Sequence, residues 1–147
     1  MLYIMRHGKT DWNKKGRLQG RTDIPLNDEG RAMAEKSRDQ IKDIHLDICY
    51  SSPLVRAKET AEIVLRGREI PIITDDRLME MFFGDYEGLA YSFDRPSSSI
   101  DVIFNDPGSY KSSIGGAETF DELFARTGDF LQSVIDPLLN EGKDVLK

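Results

Sequence analysis

Apolar residues fall into short runs and helical stripes that alternate along the chain, separated by polar loops. Leu2, Tyr3, Ile4 and Met5 form an unbroken run, which predicts a short buried strand. A polar stretch follows as far as Pro25. From Asn27 the period changes. Met33, Ala34, Ser37, Ile41 and Ile44 recur at spacings of three and four, behind an N-cap asparagine and two acids, Asp28 and Glu29. This predicts a helix to about Asp43 that buries the stripe. Residues 46–50 read as a second strand. Ser52 is then placed to cap, with Pro53 at the first helical position, for a helix that buries Leu54, Ala57, Ala61, Val64 and Leu65 and stops near Gly67. Residues 70–74 read as a third strand, with Pro71 pointing to an edge or a strand start.

Residues 78–88 are a compact acidic and aromatic segment. Residues 89–116 show little periodicity and read as a flexible insert with one helical turn around residues 100–104, of the kind that often serves as a lid or binding loop. Thr119-Phe120-Asp121-Glu122 is a capping box. Phe120, Leu123, Phe124, Thr127, Phe130, Leu131, Val134, Ile135 and Leu138 then give a helical stripe, which Pro137 should kink or end. Residues 142–147 look like a turn entering a strand. Alternating strands and helices predict an α/β fold, a three-layer α/β/α arrangement around a mostly parallel sheet. The chain reads as one domain over residues 1–147, with 89–116 as an insert within it.

A hydrophobic content of 39% and a charged content of 31% are ordinary for an ordered globular chain. No apolar run approaches a membrane span, and Met1 leads straight into the first strand, which leaves no room for a signal peptide. The single cysteine, Cys49, forms no intramolecular disulfide and reads as a buried, inert thiol. A cytoplasmic location is expected. The net charge of −6 is uneven: residues 1–21 hold six basic side chains and one acid, +5, leaving −11 for the remainder. A local positive field in an acidic chain fits a small anionic ligand better than nucleic acid, the plainer reading being a solvated basic loop.

That basic segment begins with Arg6-His7-Gly8 at the C-terminal tip of the first strand, where ligands bind in open α/β sheets. Gly8 is expected to let the backbone turn sharply and approach a ligand closely. An imidazole beside a five-donor guanidinium suits nucleophilic attack on a phosphorus that the cation holds. Three residues also arise by chance, so the reading depends on what accompanies them.

Three stretches do so: Arg6-His7-Gly8-Lys9-Thr10 with Asn13; Ser51-Ser52-Pro53-Leu54-Val55-Arg56-Ala57; and Glu80 with Phe83-Gly84-Asp85-Tyr86-Glu87-Gly88. In this order, and with Gly115-Gly116-Ala117-Glu118 before the last long helix, the chain resembles the histidine phosphatase superfamily, of phosphoglycerate mutase-like fold. The resemblance runs from residue 2 to the end. It implies His7 as the nucleophile that accepts the phosphoryl group, and Arg6 and Arg56 as holders of its oxygens. It implies Glu80 as the acid that protonates the leaving oxygen and later helps activate water, and Asn13, Thr10 and Gly20 as substrate-binding residues. Phosphoryl transfer spreads negative charge over three oxygens, so fixed donors matter most, and arginine binds them bidentately where lysine does not. No metal and no cofactor is expected. Lys9, Arg17 and Arg21 read as steering or loop charges, and Asp85, Tyr86 and Glu87 as structural.

The family has a second histidine, followed by glycine, at the tip of a strand after the long C-terminal helix. Residues 144–147 stand where that strand begins, so its remainder, the second histidine and a following helix are expected to be missing. The other histidine, His45, lies in none of the motifs and reads as a loop residue. Losing one such donor can cost ~10²–10³ in rate. Exposed strand edges would favour self-association.

The activity implied is hydrolysis of small phosphorylated metabolites through a phosphohistidine, with no nucleic-acid or membrane partner. Phosphoglycerate mutase-type transfer is the alternative. It is disfavoured because the insert carries only Arg95 and Lys111 as cations for a substrate with two anionic ends. A non-catalytic module that binds phospho-ligands is a third reading.

Overall fold

The computed structural model describes residues 1–90 and 99–147; Arg95, Pro96, Ser97 and Ser98 of the expected insert lie outside the described residues. In chain order the elements are β1 (Leu2–Tyr3), α1 (Asp11–Lys14), α2 (Asp28–Ile41), β2 (Ile48–Ser51), α3 (Val55–Val64) and β3 (Ile72–Thr74). They continue with α4 (Val102–Asn105), α5 (Phe120–Phe130), α6 (Asp136–Asn140) and β4 (Val145–Leu146). The strands order as β1-β4-β2-β3, and each neighbouring pair is parallel. The last strand in sequence is therefore inserted between the first two.

The period of two along the strands sorts side chains to two faces. Cys49 and Leu146 meet Ala34, Ala61, Val64 and Leu65 from α2 and α3. Ile48, Tyr50 and Val145 meet Phe130, Ile135 and Leu138 from α5, α6 and the turn between them. This is the expected three-layer arrangement. Each fully buried aliphatic side chain contributes roughly 1.5–3 kcal/mol. A further apolar cluster joins Leu18, Met81, Phe83, Ile100, Ile103, Tyr110 and Ala117. Part of the stretch read as an insert is thus built into a core. The helical turn expected there is present: a 3₁₀ turn at Ser99–Asp101 runs directly into α4.

Several local expectations change. The apolar run at residues 2–5 yields a two-residue strand, half-buried, with Ile4 74% exposed. The reason is position, since β1 stands at one edge of the described sheet and only its β4 side is paired. Met33 is 45% exposed, because the close face of α2 is taken by the smaller Gly30 and Ala34. Phe124 is 66% exposed and stacks on Phe120 rather than joining the core.

Helix α3 starts at Val55 rather than at Pro53. Ser52 Oγ accepts from the Leu54 N–H at 3.3 Å, whereas the Val55 N–H donates to the Asp23 carboxylate at 2.7 Å. An acid from a distant loop supplies the cap that Ser52 was expected to give. Pro137 neither ends nor breaks its helix. The five residues before α6, Leu131–Ile135, form a π-helical turn. Widening the turn there accommodates a residue that has no N–H and whose ring crowds the preceding carbonyls. Pro71 behaves as expected: it immediately precedes β3, which lies at the other sheet edge, and its carbonyl accepts from the Cys49 N–H at 2.9 Å.

Candidate active site

A cavity of about 270 Å³ opens at the C-terminal tips of β1, β4 and β2, lined among others by Arg6, His7, Ser52, Arg56, Glu80 and Lys147. β1 delivers Arg6 and His7 there, anchored by the Met5 N–H donating to the Lys147 carbonyl at 2.7 Å. α3 delivers Arg56 one turn after β2.

His7 is held in one tautomer. Its Nδ1 stands 2.6 Å from the Gly8 carbonyl oxygen, which only accepts, so Nδ1 carries the proton. That leaves the lone pair on Nε2, where Arg56 Nε donates at 3.3 Å. Burial lowers the imidazole pKa below its ordinary value of 6.5, and the Arg56 and Arg6 charges lower it further, against the Gly8 hydrogen bond and the Glu80 charge. A neutral imidazole with a directed Nε2 lone pair is the nucleophilic form.

Arg56 is 1% exposed. Its Nη2 donates to the Gly20 carbonyl at 2.6 Å and its Nη1 to the Thr22 carbonyl at 3.0 Å. With Nε directed to His7, three of the five N–H groups are committed. Among the described residues, one N–H on each terminal nitrogen has no protein partner and is left for a ligand. The loop that supplies those carbonyls is itself held by Glu87. Its carboxylate accepts from the Arg21 N–H and the Thr22 N–H, both at 2.8 Å, from the Phe83 N–H at 3.1 Å, and from the Thr22 hydroxyl. The structural role expected of Glu87 is therefore specific: it fixes the loop that fixes Arg56.

Gly8 serves a different purpose from the one expected. It is absent from the glycines with positive φ, so no left-handed turn requires it. A Cβ there would instead stand 2.5 Å from the Gly30 carbonyl oxygen. The missing side chain lets the start of α2 close against the β1 tip, and the Gly8 N–H donates to Thr60 Oγ1 at 3.1 Å.

The other predicted residues are distributed as follows. Arg6 and Glu80 are exposed at the cavity, with the Met81 N–H donating to Glu80 Oε1 at 2.8 Å. Thr10 and Asn13 form a capping box on α1, and the fully buried Thr10 hydroxyl donates to Gln19 Oε1 at 2.6 Å. The box occupies Asn13 Oδ1 and leaves its Nδ2 without a partner among the described residues. Gly20, with φ of +52°, acts through its carbonyl on Arg56. None of these three lines the cavity. Lys9 pairs with Glu29 at 2.5 Å and Arg17 Nη1 donates to the Gly88 carbonyl at 3.2 Å.

His45 precedes β2, at the opposite end of the sheet from the cavity, as a loop residue. With Asp47 and Asp144 it forms a cluster of potential metal ligands. Both carboxylates already have cations: the Met1 ammonium stands 2.7 Å from Asp144 and the Lys143 ammonium 3.7 Å from Asp47. Burial pushes the Cys49 thiol up to about 11, so it is inert although it borders the cavity.

A cavity at parallel strand tips, lined by a neutral imidazole and two guanidiniums, defines the site. The chain belongs to the histidine phosphatase superfamily, branch 1, whose family model matches residues 2–146. It is similar to an uncharacterized phosphatase, PhoE, of Bacillus subtilis: 45% identical over 86 residues, which cover 58% of this chain and 45% of PhoE. It is also similar to phosphoglycerate mutase-like protein 4 of Arabidopsis thaliana, 34% identical over 140 residues, covering 92% of this chain and 60% of that protein. Among solved structures, Bacillus stearothermophilus YhfR superposes with a TM-score of 0.86 at 37% identity, covering 99% of this chain and 71% of that one. The chain thus spans about half the length of the two curated relatives.

Proposed function

We propose that the chain is a phosphatase of small phosphorylated metabolites and transfers the phosphoryl group through Nε2 of His7. The observation that carries this reading is the His7 geometry: Nδ1 donates to Gly8, and Nε2 is neutral, directed and flanked by the buried Arg56. Nε2 attacks phosphorus while Arg6 and the two free Arg56 N–H groups hold the equatorial oxygens. The P–O bond to the leaving group breaks, and the Glu80 carboxylic acid gives that oxygen its proton. The Glu80 carboxylate then takes a proton from water, whose oxygen attacks phosphorus, breaks the P–N bond and releases phosphate. His7 returns to its neutral form, and the cycle needs only water as co-reactant.

Hydrolysis is favoured over mutase-type transfer by charge. Arg95 and Lys111 are the two basic residues of the sequence from 89 to 116, against Asp94, Asp101 and Asp106. A substrate with two anionic ends would meet few cations there. No helix among the described residues is long and apolar enough to cross a membrane. The lone, unreactive Cys49 fits the reducing cytoplasm. The β1 edge, with Ile4 largely exposed, supports self-association through that strand, to be read by sedimentation velocity.

The test is phosphate release from an aryl phosphate at mildly acidic pH by the chain and by His7→Ala, with folding checked by circular dichroism. Turnover that disappears in His7→Ala, with acid-labile phosphate trapped on the unsubstituted chain, is the expected result. Binding of inorganic phosphate by calorimetry without turnover would replace the phosphatase with a binding module. Interconversion of phosphoglycerates faster than phosphate release would replace it with a mutase.

A further inference from the structure

Glu80 sits in a stretch with no regular hydrogen-bonding ladder: residues 79–83 belong to no helix or strand. Its side chain is exposed, and the hydrogen bond its carboxylate accepts among the described residues comes from the N–H of Met81, the next residue of the same stretch. What fixes it lies behind, in the main chain.

Arg126, on α5, divides its guanidinium between the main chain of this stretch and the Glu118 carboxylate. Nη1 donates to the Arg77 carbonyl at 2.6 Å and to the Met79 carbonyl at 2.7 Å. Nη2 donates to the Glu80 carbonyl at 3.3 Å and to Glu118 Oε2 at 2.8 Å, and Nε donates to Glu118 Oε1 at 2.5 Å. Five N–H groups meet five acceptors. Glu118 is the buried centre of the arrangement. It also accepts from Arg21 Nη2 at 3.1 Å and from the Phe82 N–H at 3.2 Å, while its own N–H donates to the Phe82 carbonyl at 2.8 Å. Arg21 Nε reaches the Glu80 carbonyl as well, at 3.4 Å. The segment from Arg77 to Phe82 is thus gripped on both sides of Glu80 by one buried carboxylate and the two guanidiniums it orients.

We propose that Glu118 is a positioning residue for Glu80: by aligning Arg126 and Arg21 on the main chain of residues 77–82, it holds the Glu80 carboxyl at the cavity opposite His7. The inference rests on the reading of Glu80 as proton donor. The chemistry of the cluster agrees with it. Burial alone would raise the Glu118 carboxyl pKa, but the Arg126 hydrogen bond, the Phe82 N–H and the two arginine charges outweigh it and keep Glu118 ionised. A lysine at position 126 would keep the charge yet offer three donors from one nitrogen, too few and too close together to span the same acceptors. The Gly115-Gly116-Ala117-Glu118 stretch before α5 thereby acquires a function at the cavity without touching it.

The experiment compares the unsubstituted chain with Arg126→Lys, Glu118→Gln, Glu80→Gln and the double variant Arg126→Lys/Glu80→Gln, each confirmed folded by its thermal transition. Two phosphate esters are used. Para-nitrophenyl phosphate loses a stable anion that needs no proton, whereas glycerol phosphate must have its alkoxide protonated. The rate read is single-turnover release of the leaving group, which precedes the water step that both esters share. Arg126→Lys is expected to lower this rate on glycerol phosphate by ~10²-fold, within the usual range for lost general-acid catalysis. It should change the same rate on the aryl ester severalfold at most and leave the half-saturating ester concentration unchanged. Glu80→Gln should show the same split, and the double variant should be no slower than Glu80→Gln alone. Equal losses on both esters, or additive losses in the double variant, would overturn the inference.

A second readout needs no turnover. With His45→Gln as background, the His7 ring protons are followed by NMR through a pH titration. Glu80→Gln removes a neighbouring negative charge and should lower the His7 midpoint, and Arg126→Lys should move it the same way. A His7 midpoint unchanged in either variant would overturn the positioning role. Absence of turnover in the unsubstituted chain would count against the phosphatase reading alone, and this titration would then decide the inference.

Discussion

Gly8 and Gly30 meet face to face: a Cβ on Gly8 would lie 2.5 Å from the Gly30 carbonyl oxygen, and one on Gly30 would lie 2.1 Å from the Lys9 carbonyl oxygen. The turn that bears His7 and the start of α2 are therefore in backbone contact. Gly8→Ala is expected to destabilise the fold by ~1–3 kcal/mol, the usual range for overpacking a rigid contact. Urea denaturation reads this directly. A stability within error of the unsubstituted chain would show that the turn yields freely.

Arg56→Lys keeps a positive charge near His7 but cannot reach the Gly20 and Thr22 carbonyls and still present two N–H groups to a ligand. We expect turnover to fall by ~10²–10³, the range for a lost transition-state donor. Weaker phosphate binding in calorimetry should accompany the loss. Full activity in this variant would mean that only its charge matters.

Glu87→Ala removes an acceptor for three backbone N–H groups at Arg21, Thr22 and Phe83. Unsatisfied buried donors cost ~1–3 kcal/mol each, although water entering the loop will recover part. The variant should lose stability and turnover together. An unfolding midpoint unchanged while activity falls would place Glu87 in the chemistry instead.

The pH dependence follows from the lowered His7 pKa. An unfolded imidazole takes its proton near 6.5, whereas the folded one does so at lower pH. Stability associated with His7 is complete above 6.5 and is lost as pH falls through the folded value, because the unfolded chain binds the extra proton first. The acid limb of kcat/KM, which reports neutral His7, should also lie below 6.5. A limb at or above that value would contradict the buried geometry.

Cys49, with its thiol pushed up to about 11, should resist iodoacetamide in the folded chain near neutral pH and react on denaturation. Rapid labelling of the folded chain, followed by mass spectrometry, would show that the cavity floor opens.

Features made by near neighbours in sequence were legible there. Asn27 caps α2 at 2.8 Å through the Gly30 N–H, and Thr119 with Glu122 closes the box on α5, each within three residues. The places of Arg6, His7 and Arg56 at the cavity were legible because a strand tip and the first turn of the next helix have fixed positions in an α/β sheet. The start of α3 was not, because its acceptor, Asp23, comes from 32 residues upstream. Met33 and Phe124 fall on helical stripes, but a stripe does not reveal which of its members the neighbouring elements reach. Glu118 escaped for the same reason, since its partner Arg21 is 97 residues away. The available signal was an acid set between two glycines and a helix, which marks a turn carrying a charge inward.

His7 and Glu80 rest on separate foundations. His7 is backed by the sheet and α2, while Glu80 is followed at once by Met81 and flanked by Phe83, both buried against Ile100, Ile103 and Tyr110. Substitutions in the latter group can therefore shift Glu80 by fractions of an ångström while His7 stays put. Under the proposed mechanism, leaving-group preference can be retuned through residues 100–117 while the sheet that carries His7 stays untouched.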